Sequence, residues 1–508
     1  MKTILQLFST IMKIIKQILT ICFLLSLYSC NKSSEVTFET KVSETYRPIY
    51  HFTPSKGWMN DPNGLIFIDG EYHLFYQYYP DSTVWGPMHW GHAVSKDLVN
   101  WEDLSIALYP DSLGYIFSGS AVFDAENSSG LGTAENPPVV AIYTYHDMAG
   151  EKSGAKDYQK QAIAYSLDKG RTWTKYEGNP VLPNQGIKDF RDPKVSQITE
   201  ADGNKRWIMT LAVLDRIQFF GSSDLKDWTL LSEFGQGIGA HGGVWECPDL
   251  LPFTTPDGKQ KWVLLVSLNP GGPQNGSATQ YFIGDFQNGT FTPDDTMIRW
   301  LDYGPDNYAG VTWANLPKEQ NRTLFIGWMS NWLYAQRLPT KTWRSAMTIP
   351  RELSLFDVDG TLLVKSSPAE ELLALRLQAI SLSGKESVLP SEAVEILAEV
   401  DNEDHFQLKF SNELGEELLI SKEMNLVTID RRQAGKADFH PDFSAAHAAP
   451  MSWKAKNLRI FLDASSIELF VNEGELVLTS LLFPSTPWKK VEIGYGLDEV
   501  QLYPLKKP

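Results

Sequence analysis

A chain of 508 residues exceeds what one hydrophobic core usually organises, so length alone points to more than one domain. Its formal charge of −17 at pH 7 argues against a nucleic acid or another polyanion as partner. The 16 tryptophans and 20 tyrosines supply flat apolar faces that suit sugar rings as well as core packing.

The N-terminus reads as a targeting segment. Lys13 and Lys16 precede an apolar run at 18–27 that is too short to span a bilayer, and Leu27-Tyr28-Ser29-Cys30 resembles a bacterial lipobox. On that reading residues 1–29 are a lipoprotein signal peptide, Cys30 carries the lipid and residues 30–46 form a polar tether. The protein is then exported to the cell envelope, on its periplasmic face or the cell surface, and meets a membrane only through its anchor. A plain signal-peptidase site is the competing reading, and Met12 opens a more compact signal than Met1 does. Loss of Lys2, Lys13 and Lys16 with the signal takes the charge to about −20. With Cys22 in the signal and Cys30 lipidated, Cys247 has no partner, so no internal disulfide is expected.

From 47 to 356 short apolar and aromatic runs, such as 72–76, 139–143, 207–211, 262–266 and 323–328, alternate with Gly, Pro, Asn and Asp turns. These are predicted strands, with no convincing long helical period between them. A weak repeat adds architecture: Ser95-Lys96-Asp97 before Trp101, Ser166-Leu167-Asp168 before Trp173, and Ser223-Asp224 before Trp228. Hairpin turns closed by a Trp at intervals of about 55 to 70 residues are what stacked four-stranded blades produce, which predicts an all-β domain with a five-bladed β-propeller. A β-sandwich would account for the turns but not for their spacing.

The propeller region holds three acidic motifs, Trp58-Met59-Asn60-Asp61-Pro62-Asn63-Gly64, Phe190-Arg191-Asp192-Pro193 and Trp245-Glu246-Cys247-Pro248-Asp249. In each a proline fixes the backbone and forbids strand pairing at its own nitrogen, so the nearby carboxylate is aimed rather than left floating. Innermost strands of a propeller converge on its axis, where acids from different blades meet. Glycoside cleavage needs such a meeting, because one carboxyl protonates the leaving oxygen while a second answers the positive charge developing on the sugar. Asp61, beside Asn60 and Asn63, suits a nucleophile; Glu246, between Trp245 and Cys247-Pro248, has a less polar setting suited to a proton donor. Asp192, next to Arg191, is expected to stay ionised and grip sugar hydroxyls in the transition state. Any one of these motifs alone reads as a turn with a capping acid.

Downstream, Ser367-Pro368 predicts the cap and first position of a short helix running through Leu375, within a linker at 357–382. In the region 383–508, runs such as 406–410, 458–462, 467–471 and 491–495 place an apolar residue at every second position, which predicts a second all-β module, a C-terminal β-sandwich.

The three acidic motifs, with Phe75-Tyr76-Gln77, Trp85 before Met88-His89-Trp90-Gly91-His92, Phe117-Ser118-Gly119-Ser120, Trp343-Arg344-Ser345-Ala346-Met347 and Asp463-Ala464-Ser465-Ser466-Ile467-Glu468-Leu469-Phe470, resemble glycoside hydrolase family 32, the invertases, inulinases and levanases. The resemblance covers essentially the whole mature chain. It implies a five-bladed propeller followed by a sandwich, no cofactor, and retention of configuration through a fructosyl-enzyme intermediate. Asp61 is then the nucleophile, Glu246 the acid/base and Asp192 the transition-state stabiliser. The terminal fructosyl unit of a fructan or fructo-oligosaccharide would be lined by Asn60, Gln77, Trp85, Phe117, Ser118 and Arg191, by Trp58 and Met59 of the first motif, and by Trp328 or Trp332. One departure stands in Asp306-Asn307-Tyr308-Ala309, where many relatives carry Phe at the position of Asn307; it is expected near the pocket floor or rim, with an effect on leaving-group preference. Metal ligation is not expected, because the nine histidines are scattered and His89 and His92 flank Trp90-Gly91 in a segment that does not read as a helix.

Exo-removal of fructose from levan or inulin is favoured over endo-cleavage of levan, with sucrose a further substrate. A sialidase, which needs a tyrosine nucleophile and an arginine cluster, and a non-catalytic fructan-binding lipoprotein are the competing readings.

Overall fold

In the computed structural model, residues 44–508 are described, apart from 201, 202 and 383, together with Met12. The expected signal peptide, Cys30 and most of the tether lie outside the described residues.

Five antiparallel sheets follow one another along the chain, beginning at the innermost strands Gly57–Ile68, Tyr115–Phe123, Phe190–Thr199, Val244–Thr254 and Tyr308–Thr312. Each innermost strand touches the next, and the fifth touches the first, so the sheets are blades of a closed propeller. The ring is locked by Trp343–Arg344, which pairs in parallel with Gly57 and Trp58, and by a bridge between Ile66 and Ala314.

The Ser-Asp-Trp turns join the third and fourth strands of the first three blades. In each the serine hydroxyl meets the aspartate, and the indole N–H of Trp101, Trp173 or Trp228 donates to a carbonyl three residues earlier. The third turn uses Ser222 rather than the neighbouring Ser223. Leu98, Lys169 and Leu225 take left-handed φ values of 60, 59 and 63° at matching positions, so the repeat is conformational as well as chemical.

The fifth blade continues through Arg351–Val358 and Thr361–Pro368, so the boundary expected after 356 falls inside a strand. Ser367 and Pro368 belong to that sheet, and the helical segment is a single 3₁₀ stretch, Glu370–Leu375, with no side-chain cap. Pro368 is tolerated because it ends its strand and offers only its carbonyl.

Two six-stranded sheets complete the chain as a β-sandwich. The sheet containing His405–Ser411 and Leu426–Gln433 alternates between buried and part-exposed residues. Ser466–Val471 and Leu476–Leu481, in the other sheet, are buried at every position, because their second face lies against the propeller.

That interface is charged. His51 Nδ1 lies 2.8 Å from Asp463 Oδ2 and Nε2 lies 2.9 Å from Glu468 Oε1, with all three side chains fully buried. Glu468 also receives Arg351, which donates to Asp302 at 2.9 Å, while Asp463 accepts the backbone N–H of Ile49 at 2.8 Å. The Asp463 to Phe470 motif is thus a clamp on the segment leading into the first blade.

Candidate active site

Every innermost strand carries one extra residue relative to its neighbour at the same level of the channel. The register slips between Met59 and Pro62, Ile116 and Gly119, Arg191 and Lys194, Glu246 and Asp249, and Tyr308 and Val311. A bulge re-aims the side chains around it, and Asn60, Asp61, Phe117, Ser118, Asp192, Glu246 and Tyr308 all sit in or beside these five. Asp192, Cys247 and Ala309 adopt left-handed φ values of 64, 45 and 54° within them. Behind Phe117 and Ser118, a Cβ on Gly119 would stand 2.0 Å from the carbonyl oxygen of Ile142, so glycine is required for the strand to turn there.

The bulges gather three carboxyl groups. Asp61 Oδ2 accepts from Ser118 Oγ at 2.6 Å, and Oδ1 from Asn60 Nδ2 at 3.0 Å. Asn60 is held in turn by the indole N–H of Trp58 at 2.7 Å. Asp192 Oδ2 accepts the backbone N–H of Cys247 at 3.0 Å. The Cys247 thiol lies between the aspartates, 3.5 Å from Asp61 Oδ2 and 3.6 Å from Asp192 Oδ2. Glu246 Oε1 accepts from Arg191 Nε at 3.1 Å and Nη2 at 2.9 Å, while Oε2 accepts from the Tyr308 hydroxyl. Arg191 is shared with Asp189, 2.8 Å from Nη1.

Burial, with the charges of Glu246 and Asp61, holds Asp192 up at about 7 against the pull of Arg191. This corrects the expectation of a permanently charged Asp192: burial and the neighbouring carboxylates outweigh the pull of the adjoining guanidinium. Burial and Glu246 also raise Asp61, although Ser118 and Asn60 oppose the shift. Both aspartates are therefore harder to ionise than exposed carboxyls, as the burial of neighbouring acids in one site dictates.

Together these groups border a cavity of about 260 Å³ lined by Asn60, Asp61, Gln77, Trp85, Phe117, Ser118, Arg191, Asp192, Glu246 and Trp332. Three expected contacts are not on its wall. Trp58, Met59 and Trp328 are entirely buried, Trp58 acting through Asn60 and Trp328 packing behind Trp332 with ring centroids 5.0 Å apart. Trp332 is thus the tryptophan of the 327–332 segment that reaches the cavity. Asn307 is also buried, and its amide donates to Asp302 at 3.2 Å on the side of the sandwich clamp, so it is neither floor nor rim.

The cavity has a closed floor. One level down, Lys194 crosses the axis to the carbonyl of Thr312 at 2.7 Å and to Asp249 at 2.9 Å, and Ser120 bridges to the Pro193 carbonyl at 2.9 Å.

Sequence reading missed Tyr308, His146, Glu151, Gln159, Asp189 and Gln336. Tyr308 stood inside the motif noted for its neighbour Asn307; the others, on connections or away from a proline-marked turn, carry no local signature. His92, at the edge of the noted histidine pair, stacks on Phe75 at 4.1 Å and is structural.

Residues 51–366 match the family described as Glycosyl hydrolases family 32 N-terminal domain, and residues 367–499 the Glycosyl hydrolases family 32 C terminal. The chain is 45% identical over 503 residues to a levanase of Bacillus subtilis (strain 168), covering 94% of this chain and 72% of that protein. It is 37% identical over 499 residues to an extracellular exo-inulinase of Aspergillus awamori, covering 89% of this chain and 92% of the relative. The crystal structure of that species' exo-inulinase superposes with a TM-score of 0.81 at 34% identity, covering 92% of this chain and 99% of the other. A β-fructofuranosidase from Schwanniomyces occidentalis complexed with fructosyl-erythritol gives a TM-score of 0.81 at 32% identity, covering 92% and 98%.

Proposed function

The chain belongs to glycoside hydrolase family 32 and is a fructan-hydrolysing β-fructosidase, and on that premise we propose that it removes terminal fructosyl units from levan or inulin with retention, Asp61 attacking, Glu246 serving as acid/base and Asp192 stabilising the transition state. The observation that carries this reading is the convergence of three carboxyls from three blades on one small, closed-floored cavity.

Asp61 is oriented by Ser118 and Asn60 on separate bulges, so its attacking oxygen is positioned before substrate arrives. Glu246 is held at both oxygens, by Arg191 and Tyr308, and faces the leaving oxygen. It donates a proton as the glycosidic bond breaks, then takes one from the water that opens the fructosyl–Asp61 ester. Asp192, tied through Cys247 N–H to the strand that carries Glu246, accepts from sugar hydroxyls as positive charge develops on the ring.

Exo-action is supported by size and closure. At about 260 Å³ the cavity is below the range that holds drug-sized ligands, and Lys194 and Ser120 block passage of a chain along the axis. Levan, inulin and sucrose digests read at early times test this: fructose as the sole product from the polymers supports the reading, and a ladder of oligosaccharides overturns it. Asp61→Asn and Glu246→Gln should each abolish release; a variant that retains native turnover removes that residue from its role.

The relatives called extracellular exo-inulinases accord with export of this chain. Anchoring through a diacylated Cys30 rests on the lipobox-like Leu27-Tyr28-Ser29-Cys30, and a Cys30→Ser protein recovered from membranes as fully as the native one would refute it.

A further inference from the structure

Beyond the three carboxyls, one histidine–glutamate pair on the cavity wall is unexplained. His146 ends the strand Val139–His146, and Glu151 stands five residues on, in the short helix Met148–Lys152. That helix buries none of its residues and is capped by Asp147, which accepts from Ala149 and Gly150 N–H, each at 3.0 Å.

The His146 ring is fixed from two sides. It stacks on Phe117 with centroids 4.1 Å apart and an interplanar angle of 5°, and its Nδ1 lies 3.2 Å from Gln159 Nε2. Gln159 Oε1 accepts the backbone N–H of Phe190 at 2.8 Å, so the amide must point its NH₂ at His146. Nδ1 is then the acceptor and Nε2 carries the proton. Burial, reinforced by Arg191, lowers His146 to about 4, so the ring is neutral at working pH. Its Nε2–H is buried and makes no hydrogen bond, though Glu151 Oε2 is 3.2 Å away. An unspent donor and a carboxylate with 42% of its side chain exposed therefore stand together on the cavity wall.

Their place relative to the chemistry says which sugar they meet. Glu246, Arg191, Gln159, His146 and Glu151 form a continuous chain of contacts, leading outward from the proton donor. The leaving oxygen must lie against Glu246, so hydroxyls of the departing unit fall along this chain.

We propose that Glu151 and His146 bind the hydroxyls of the leaving sugar and set the preference for a fructosyl over a hydroxyl-free leaving group. This rests on the catalytic roles proposed above. Hydrogen bonds to a charged acceptor are lost on truncation at a part-exposed site, which sets the expected effect at about tenfold.

The test compares kcat/KM for a levan-type fructosyl-fructose disaccharide and for an aryl β-fructoside in the native protein, Glu151→Ala, Glu151→Gln and His146→Gln. The disaccharide-to-aryl ratio should fall about tenfold in Glu151→Ala, less in Glu151→Gln, and in the same direction in His146→Gln. An unchanged ratio in Glu151→Ala overturns the proposal, whatever happens to absolute rates. Because Glu151 lies on a helix with no buried residue, misfolding does not obscure that result. Failure of the native protein to cleave either substrate would instead overturn the functional reading on which the proposal stands.

Discussion

Replacing His51 with glutamine tests the buried clamp between propeller and sandwich. His51 loses solvation on burial, yet its hydrogen bonds to Asp463 and Glu468 and their charges raise it from 6.5 to about 9. A raised histidine stabilises the fold fully below its unfolded value, and that contribution is lost as pH climbs through the folded one. The window is therefore 6.5 to about 9, and a difference of that size corresponds to about 3 kcal/mol at 1.36 kcal/mol per unit. In urea this is a fall in midpoint of up to about 1 M between the two pH values, since m for a chain of this length is at least about 3 kcal/mol/M. His51→Gln leaves Asp463 and Glu468 buried with one cation fewer, which costs about 3–5 kcal/mol at neutral pH. The variant should also lose most of the native protein's alkaline slope. Equilibrium urea unfolding followed by tryptophan fluorescence at a series of pH values measures both. If the variant falls with pH as steeply as the native protein, the clamp is not held by a protonated His51 and the reasoning fails.

Three further outcomes follow from the active site. With Asp192 at about 7 and Asp61 raised, the hydroxyl acceptor and the nucleophile both ionise as pH rises, so kcat/KM should fall on the acid side with a midpoint near 7; a plateau from about pH 5 to 8 would contradict this. Tyr308→Phe removes one hydroxyl donor to Glu246 without opening a cavity, and kcat should drop about 10- to 100-fold at unchanged stability, checked by steady-state kinetics beside thermal melts. Burial, aided by Asp192, Asp61 and Glu246, pushes the Cys247 thiol well above its ordinary range, so iodoacetamide at pH 7 should leave it unmodified in the native protein and alkylate it after denaturation, as peptide mass mapping would show.

The architecture was legible because its signals are local. A Ser, an Asp and a Trp within one turn encode the third-to-fourth-strand hairpin of a blade, and period-two alternation encodes strands with one wet face. Where burial is two-sided that code is incomplete: Glu468 and Arg459 occupy the polar half of an alternation yet are buried, Glu468 because the propeller side supplies His51 and Arg351 as partners, and Arg459 because Glu395 meets it from the adjacent strand of its own sheet. The Ser367-Pro368 helix start failed for a related reason. Proline at a strand's last residue and proline at a helix's first look alike in sequence, and pairing with Arg351 decides between them.

The site divides along the same line. Asp61, Asp192 and Glu246 each stand within two residues of a proline, at Pro62, Pro193 and Pro248, and the structure explains why those prolines mark function: each lies at the slip in register, where the ladder asks for no N–H. The other two bulges achieve the same turn without proline, through Gly119 behind Ser118 and a left-handed Ala309 behind Tyr308. Read as a set, the five bulges are one device repeated in every blade, with a second slip in the first between Asn63 and Ile66. A regular innermost strand would point alternate residues into the blade interfaces on either side; one extra residue swings a side chain onto the axis instead. The cost is local strain, as at Asp192, where a non-glycine residue takes φ 64° and is kept there by Thr144 Oγ1, 3.1 Å from its backbone nitrogen, and by Cys247 N–H on its carboxylate. Those restraints come from the neighbouring second and fourth blades, so Asp192 is aimed only when three blades are packed together, and Asp61 joins the cluster from the first blade, just after the Gly57 and Trp58 pairing with Trp343–Arg344 that closes the ring. Assembly of the carboxyl cluster is therefore a property of the whole propeller rather than of any motif within it.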